Sequence, residues 1–200
     1  MTVVALTGGI AVGKTAMMEY WQSNFSIPIF DTDDVGRQLL TEAEILTEVK
    51  NIFGESVIVG GQIDRVAVQR RIFAHPSEKI ALESLLHPHI RERSQALIAQ
   101  YLQTYPYCIV VVPLLYETDT AANYDRVCVV ESALDQRVRR CFDRGLSEKV
   151  TLAIMQSQAS SEQRLSIAHD VLYNVQDFSF FYEQIDELHA SYSELYPLHN

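Results

Sequence analysis

Residues 8–15 read Gly8-Gly9-Ile10-Ala11-Val12-Gly13-Lys14-Thr15, the spacing Gly-x-x-x-x-Gly-Lys-Thr. A loop of this kind works only between a buried strand and the first turn of a helix, so it constrains the fold as well as the chemistry. Its glycines let the backbone enter conformations closed to residues with a Cβ, so that successive N–H groups converge on phosphate oxygens. Lys14 sets a cation against the β- and γ-phosphates, and the Thr15 hydroxyl is a ligand type for Mg²⁺. A helix beginning near Lys14 adds roughly half a positive charge at the same place. The flanks fit, because Thr2-Val3-Val4-Ala5-Leu6 is a short apolar run and Lys14–Asn24 has a helical pattern. Residues Gly8, Gly9, Ile10, Ala11, Val12, Gly13, Lys14, Thr15 and Ala16 are therefore read as a grip on the phosphates of ATP or GTP.

The rest of the chain has the rhythm such a loop needs. Val3–Leu6, Ile27–Phe30, Tyr107–Val112, Arg126–Val130 and Val171–Tyr173 are short runs, most of them continuously apolar, as expected of parallel strands covered on both faces. Helical patterns at Lys14–Asn24, Leu134–Arg144, Lys149–Gln158 and Phe178–Leu195 alternate with them. The predicted class is α/β: a five-stranded parallel sheet in a three-layer α/β/α core, within a single domain over residues 1–200. Residues 35–105 break the alternation, with helical patterns at Ala43–Phe53, Val66–Phe73 and Ile90–Gln103 and a Gly54–Gly61 loop between the first two. This stretch reads as a helical insertion, either an acceptor-binding lobe or helices that merely pack on the sheet. The tail Tyr192–Asn200 is expected to fray.

Composition narrows the partners. The 200 residues carry a formal charge of −10, with only 16 Lys and Arg, which disfavours a nucleic-acid backbone as ligand. Any anionic ligand must be held by a local cluster of cations. The three cysteines, Cys108, Cys128 and Cys141, have no metal-finger or C-x-x-C spacing. Cys108 and Cys128 sit in apolar runs and read as buried, reduced thiols. No apolar run is long enough to span a bilayer, and no secretory signal is expected. A cytoplasmic protein, monomeric or weakly homo-oligomeric, without a membrane or nucleic-acid partner, is the expectation.

Phe30-Asp31-Thr32-Asp33-Asp34 closes the second apolar run. Ligands of open α/β sheets bind beyond the carboxyl ends of the strands. If the chain stays extended, Asp31 and Asp33 point to one face. One would orient an acceptor hydroxyl and take its proton late, while the other helps to hold Mg²⁺. The competing reading is that these acids cap a following helix. Asp33-Asp34-Val35-Gly36 also matches a GTPase-like Asp-x-x-Gly, but no Asn-Lys-x-Asp base-reading motif accompanies it.

At this point the sequence resembles the dephospho-coenzyme A kinase family. Thr7-Gly8-Gly9-Ile10 with Gly13-Lys14 is similar to the family's opening, and Asp31-Thr32-Asp33 to its acidic step after the second strand. Phe53-Gly54, Gly61-Gln62-Ile63-Asp64-Arg65, Ile72-Phe73, Leu86-His87-Pro88-His89-Ile90 and Pro113-Leu114-Leu115-Tyr116-Glu117 follow in the family's order. Gln136-x-x-Arg139, Gly145-Leu146-Ser147, Gln158 and Ala168-x-Asp170-Val171-x-x-Asn174 complete the series. The resemblance implies transfer of the ATP γ-phosphate to the ribose 3′-hydroxyl of dephospho-CoA, with Mg²⁺, as the last step of coenzyme A biosynthesis. It implies that Asp33 lies closest to the attacking hydroxyl, that residues 35–105 bind the acceptor, that residues 134–165 form a lid, and that Asn174 lies near the adenine.

Several positions depart from the family pattern. Ala11 and Val12 replace Gly-Ser, and Asp143-Arg144 inverts Arg-Asp before Gly145. Arg139, Arg140 and Arg144 are then all candidates to bridge phosphoryl charge, while Arg137 reads as part of a solvated helix face. Val111 and Val112 leave no acid just before Pro113, so Glu117 or Asp31 would serve the metal in place of a strand-end aspartate; the metal ligands expected are Thr15 and Asp31. Val175-Gln176 lacks the usual glycine. Arg65 is the best of the insertion's arginines for an acceptor phosphate, and the expected acceptor contacts are Asp33, Arg65, His87 and Glu117. His87-Pro88-His89 reads as the start of a helix with proline at an early position. Rival readings are a P-loop kinase of another small alcohol or nucleotide, and a nucleotide-operated switch or ATPase.

Overall fold

A computed structural model describes residues 2–175 and 177–197. In chain order the elements are β1 (Thr2–Thr7), α1 (Lys14–Asn24), β2 (Ile29–Asp31), α2 (Thr32–Leu39), α3 (Ala43–Phe53), β3 (Ile58–Val59), β4 (Gln62–Ile63), α4 (Arg65–Ala74) and α5 (Pro76–Tyr101). There follow β5 (Tyr107–Val111), β6 (Arg126–Glu131), α6 (Leu134–Asp143), α7 (Glu148–Ser157), α8 (Ser161–Leu165), β7 (Asp170–Tyr173) and α9 (Phe178–Leu195). They form two compact units, Met1–Asp31 with Ile98–Asn200, and Thr32–Leu97.

The first unit is built on a five-stranded sheet in the order β2-β5-β1-β6-β7, parallel throughout. β1 lies at its centre, with Val4 opposite Ile109 of β5 and Arg126 of β6. Because side chains alternate across a strand, Val4 and Leu6 join one core and Ala5 the other. The larger core takes Met17 and Trp21 of α1 and Phe181, Ile185, Leu188 and Tyr192 of α9. On the opposite face Ala5, Val127 and Val129 are covered by Leu115, with Val112, Ala121, Tyr124, Ile167 and Ala168 around them. The chain leaves β1 toward β2 on one side of the sheet and later crosses to β6 and β7 on the other. The carboxyl end of β1 is thus where the winding reverses, the usual ligand position of such sheets.

All three cysteines are buried and free, and burial pushes the Cys108 thiol up to about 12, so it behaves as a small apolar residue. No helix among the described residues is long and apolar enough to cross a membrane.

The second unit is helical apart from one hairpin. β3 and β4 pair antiparallel around Gly60-Gly61, with Ile58 opposite Ile63, inside a stretch that the sequence presents as loop. Two residues a side are too few for alternation to register. Asp64 caps α4, its Oδ1 accepting the Val66 and Ala67 N–H groups at 3.0 and 3.1 Å.

Three expectations need correcting. α2 starts directly after Asp31, so Asp33 sits in a first helical turn and the extended-chain argument pairing it with Asp31 does not apply. The same helix contains Asp33-Asp34-Val35-Gly36, with Gly36 packed where a Cβ would lie 3.1 Å from Ile90 Cδ1, which is no setting for a nucleotide switch loop. Pro88 does not begin a helix: α5 starts at Pro76, and Pro88 lies inside it. Proline cannot donate to the Ser84 carbonyl, and both residues are exposed, so water can take that acceptor. Third, the C-terminal segment stays helical to Leu195, with Tyr192 fully buried; residues 198–200 of the expected frayed tail lie outside the described residues.

Candidate active site

The loop after β1 has the form that the glycine spacing demands. Gly13 is the N-cap of α1 at φ +116°, and a Cβ there would lie 2.3 Å from the Asn174 amide nitrogen. A side chain is excluded by conformation and by space alike. At Gly9 a Cβ would meet Arg137 Nη2 at 2.4 Å and Arg164 Nη2 at 3.3 Å, so a side chain there would displace the guanidinium groups packed on the loop. Ala11 adopts φ +60° without being glycine. Among the described residues no side chain caps the N-terminus of α1, which opens directly from the loop. Lys14 Nζ donates to the Gly8 and Gly9 carbonyls at 2.7 and 3.0 Å, which curls the lysine over the loop. Thr15 is exposed in the first turn of α1, with Ala16 partly buried beside it.

Three later segments hold this loop. From α6, Arg137 Nε donates to the Ile10 carbonyl at 3.0 Å, and Arg140 Nη1 donates to the Ala11 and Val12 carbonyls at 3.1 and 3.3 Å. From the end of β7, Asn174 Nδ2 donates to the Val12 carbonyl at 2.9 Å while its Oδ1 accepts Arg140 Nη2 at 3.0 Å. From the end of α7, Gln158 Oε1 accepts the Ile10 N–H at 2.8 Å. Behind them Arg164, 2% exposed, directs Nε and Nη2 to Glu131 Oε1 at 2.9 and 2.8 Å.

The sequence reading of the arginines is thereby revised. Residues three or four apart share a helix face, and the inward face of α6 carries Arg137, Arg140 and Cys141. Arg137 is 9% exposed, not solvated, while Arg139 and Arg144 are exposed and bond to no part of the loop among the described contacts. An arginine four residues before a buried cysteine was the available signal for Arg137. Asn174 is 2% exposed, with its Nδ2 donating to the Val12 carbonyl and its Oδ1 accepting Arg140 Nη2, so it supports the loop from behind. Glu117 is exposed within a run of turns, its Oε1 accepting the Ala159 N–H at 2.7 Å, a bond that ties this run to the chain between α7 and α8. Arg164 was missed, and nothing in the sequence marks it except its place in the turn opened by the Ser160 capping box.

The electrostatics are one-sided. Burial, then the neighbouring Arg164, lowers the pKa of Arg137, with Glu131 opposing. Burial, then Arg144, lowers that of Arg140. Lys14, Arg137, Arg140 and Arg164 thus crowd one loop with Glu131 as the buried anion among them. Such a cluster is under strain that a polyanion relieves, and it supplies the local cations that a chain of −10 must concentrate somewhere.

The remaining residues expected at the site are distributed as follows. Asp31 ends β2 and is partly buried, in the same unit as the loop. Asp33 is exposed in the first turn of α2, Arg65 is exposed at the start of α4 with Nη2 donating to the Arg37 carbonyl at 3.1 Å, and His87 is exposed inside α5. These three belong to the second unit. No cluster of three or more His, Cys, Asp or Glu able to hold a metal occurs among the described residues. Thr15 and Asp31 are nonetheless oxygen donors of the kind a hard cation takes.

A central strand, a phosphate loop and an uncapped helix N-terminus, ringed by arginines from a later helical segment, define the protein as a P-loop kinase in class. Comparison with known proteins agrees and goes further. The sequence profile described as dephospho-CoA kinase matches residues 2–179. A dephospho-CoA kinase of Vibrio vulnificus (strain YJ016) is 39% identical over 193 residues, covering 95% of both chains. One from Pasteurella multocida is 36% identical over 200 residues, covering 96% of both. Among solved structures, a Thermus thermophilus protein, TT1252, superposes with a TM-score of 0.82 at 28% identity over 95% of this chain and 97% of that one. The dephospho-CoA kinase of Campylobacter jejuni superposes at 0.74 and 23% identity over 96% and 97% of the two chains, and shares the fold. The chain belongs to the dephospho-CoA kinase family.

Proposed function

We propose that the protein transfers the γ-phosphate of ATP to the ribose 3′-hydroxyl of dephospho-CoA, giving coenzyme A and ADP. The observation that carries the ATP half is the set of guanidinium groups at the phosphate loop, Arg137 and Arg140 bonded to its carbonyls and Arg164 buried behind them; membership of the family carries the acceptor half. In this reading the N–H groups of residues 8–15 and Lys14 hold the β- and γ-phosphates, and Arg140, with Arg137 beside it, offsets charge that grows on the transferring phosphoryl group. Asp33 orients the acceptor hydroxyl and takes its proton late, since an alcohol is far less acidic than a carboxyl group. Residues Thr32–Leu97 serve as the acceptor lobe, with Arg65 for an acceptor phosphate, and the α6–α8 segment serves as the lid. Thr15 and Asp31 would hold Mg²⁺, which when bound neutralises phosphate charge and orients the γ-phosphoryl group. A cytoplasmic location is part of this reading.

An ADP-release assay across acceptors tests this. Dephospho-CoA should stimulate ATP turnover, with the product heavier by one phosphoryl group. ATP turnover that ignores dephospho-CoA but responds to shikimate or a nucleoside monophosphate would replace this acceptor with another.

A further inference from the structure

The second unit contains a small pocket that the phosphate chemistry does not use. One face of α4 presents Arg65, Val68, Gln69 and Ile72, at the i, i+3, i+4 and i+7 positions of a helical stripe. With Leu40, just past α2, and Ile63 of β4 they line a cavity of about 240 Å³. Four of the six lining residues are aliphatic, one is an amide and one a cation. That volume is below the roughly 300–1,000 Å³ of a site enclosing a whole small ligand, so it suits one fragment of a larger molecule. Arg65 is exposed at the first turn of α4 and tied to the end of α2 through the Arg37 carbonyl. An aliphatic floor with a guanidinium at its edge calls for a branched alkyl group bonded close to an anion.

Resting on the acceptor reading above, we infer that this pocket holds the gem-dimethyl carbon of the acceptor's pantoyl unit, with Arg65 on the adjoining diphosphate. In dephospho-CoA one methylene separates the diphosphate ester oxygen from that quaternary carbon; the adenosine end has no such pairing. The spans agree as well. Leu40 lies seven residues beyond Asp33, so α2 separates the two by roughly 10 Å at 1.5 Å per residue. Ten bonds join the ribose 3′-oxygen to the quaternary carbon, about 12 Å when extended by the rise per bond of an extended chain. An acceptor with its 3′-hydroxyl at Asp33 therefore reaches this pocket with its pantoyl group, with little slack. The site is a specificity pocket: it distinguishes a pantetheine-bearing nucleotide from a plain one.

The test compares dephospho-CoA with an analogue in which both pantoyl methyls are replaced by hydrogen, in wild type, Gln69→Trp and Ile72→Ser. Gln69 is exposed at the pocket edge, so tryptophan there closes the mouth without entering the core. Wild type should prefer the dimethyl acceptor by about tenfold in kcat/KM, the worth of two buried methyl groups. Both variants should bring that preference below about threefold while leaving the KM for ATP and the melting temperature near wild type. Each ratio is taken within one protein, so a partly unfolded variant still reports it. An absent preference in wild type, or one that survives both substitutions, overturns the inference. If wild type phosphorylates neither compound, the acceptor reading itself falls, and the pocket assignment with it.

Discussion

Replacing Glu131 by alanine should destabilise the fold more than almost any other single polar change in the sheet unit. The carboxylate is 5% exposed, and its Oε1 accepts both Nε and Nη2 of Arg164, itself 2% exposed. Removing one partner of a buried pair leaves an unpaired charge, a loss of about 3–5 kcal/mol. Here the surroundings favour the upper half of that range. Arg164 already lowers the pKa of the neighbouring Arg137, so without Glu131 two guanidinium groups face each other beside Gly9 with no anion between them. In a domain of this size each kcal/mol moves Tm by roughly 2–4 °C, so Glu131→Ala should melt roughly 8–20 °C below wild type. Urea unfolding without nucleotide gives the free energy directly. The double variant Glu131→Leu/Arg164→Met should recover most of the loss, because matched apolar replacements of a buried pair are often neutral. A loss below about 1 kcal/mol for Glu131→Ala would refute the reasoning, since it would mean that Arg164 reaches water or another acceptor without structural change.

Three further outcomes follow from other parts of the molecule. Ala11→Gly should leave stability unchanged or slightly raised, because relief of a left-handed alanine, about 1–2 kcal/mol, offsets a lost buried methyl of about 0.8 kcal/mol; a loss above 1 kcal/mol in denaturant titration would contradict it. His189 is stacked on Phe25 at 3.9 Å with its Nδ1 2.8 Å from the Tyr107 hydroxyl, and burial lowers its pKa against the opposing pull of Asp186. Since its folded pKa lies below the unfolded value of about 6.5, the unfolded chain binds the extra proton, and stability should fall as pH drops from 6.5 toward the folded pKa; a steeper fall in wild type than in His189→Asn, followed by thermal melting, is the expected signature. Asp33→Asn should lower kcat far more than it changes the KM for ATP, and a variant that lost only ATP binding would make Asp33 a metal or structural group.

The sheet could be read from sequence because its strands are buried on both faces and so appear as unbroken apolar runs, as in Val127–Val130. Helices α1 and α9 were legible for a related reason: Met17 and Trp21, and Phe181, Ile185, Leu188 and Tyr192, keep helical spacing against one core. α5 carries no such stripe. Among the residues of that long helix only Ser94 is buried, so its first half, interrupted by Pro88, gives periodicity nothing to report. α2 was hidden differently, since its acids immediately after β2 read equally well as an extended strand end. The loop's own residues were legible because glycine and lysine are needed at fixed offsets. Its supports were not, because Arg137 and Gln158 reach Ile10 from 127 and 148 positions away, and no local pattern encodes a contact of that range.

Those supports also account for the odd pair in the loop. Replacing Gly-Ser by Ala11-Val12 reduces to a loss of flexibility when only the loop is considered. In the fold, Val12 is fully buried and belongs to the core under β1, so the loop is anchored by its own side chain. The carbonyls of Ala11 and Val12 are held by Arg140, and that of Val12 also by Asn174, so Ala11 is kept in its left-handed conformation by hydrogen bonds that a Cβ does not disturb. Arg140 comes from the helix that opens the α6–α8 segment, and Gln158 closes α7 while it takes the Ile10 N–H. Any movement of that segment must therefore be felt by the loop's backbone, and a phosphate oxygen taking the Ile10 N–H must displace Gln158.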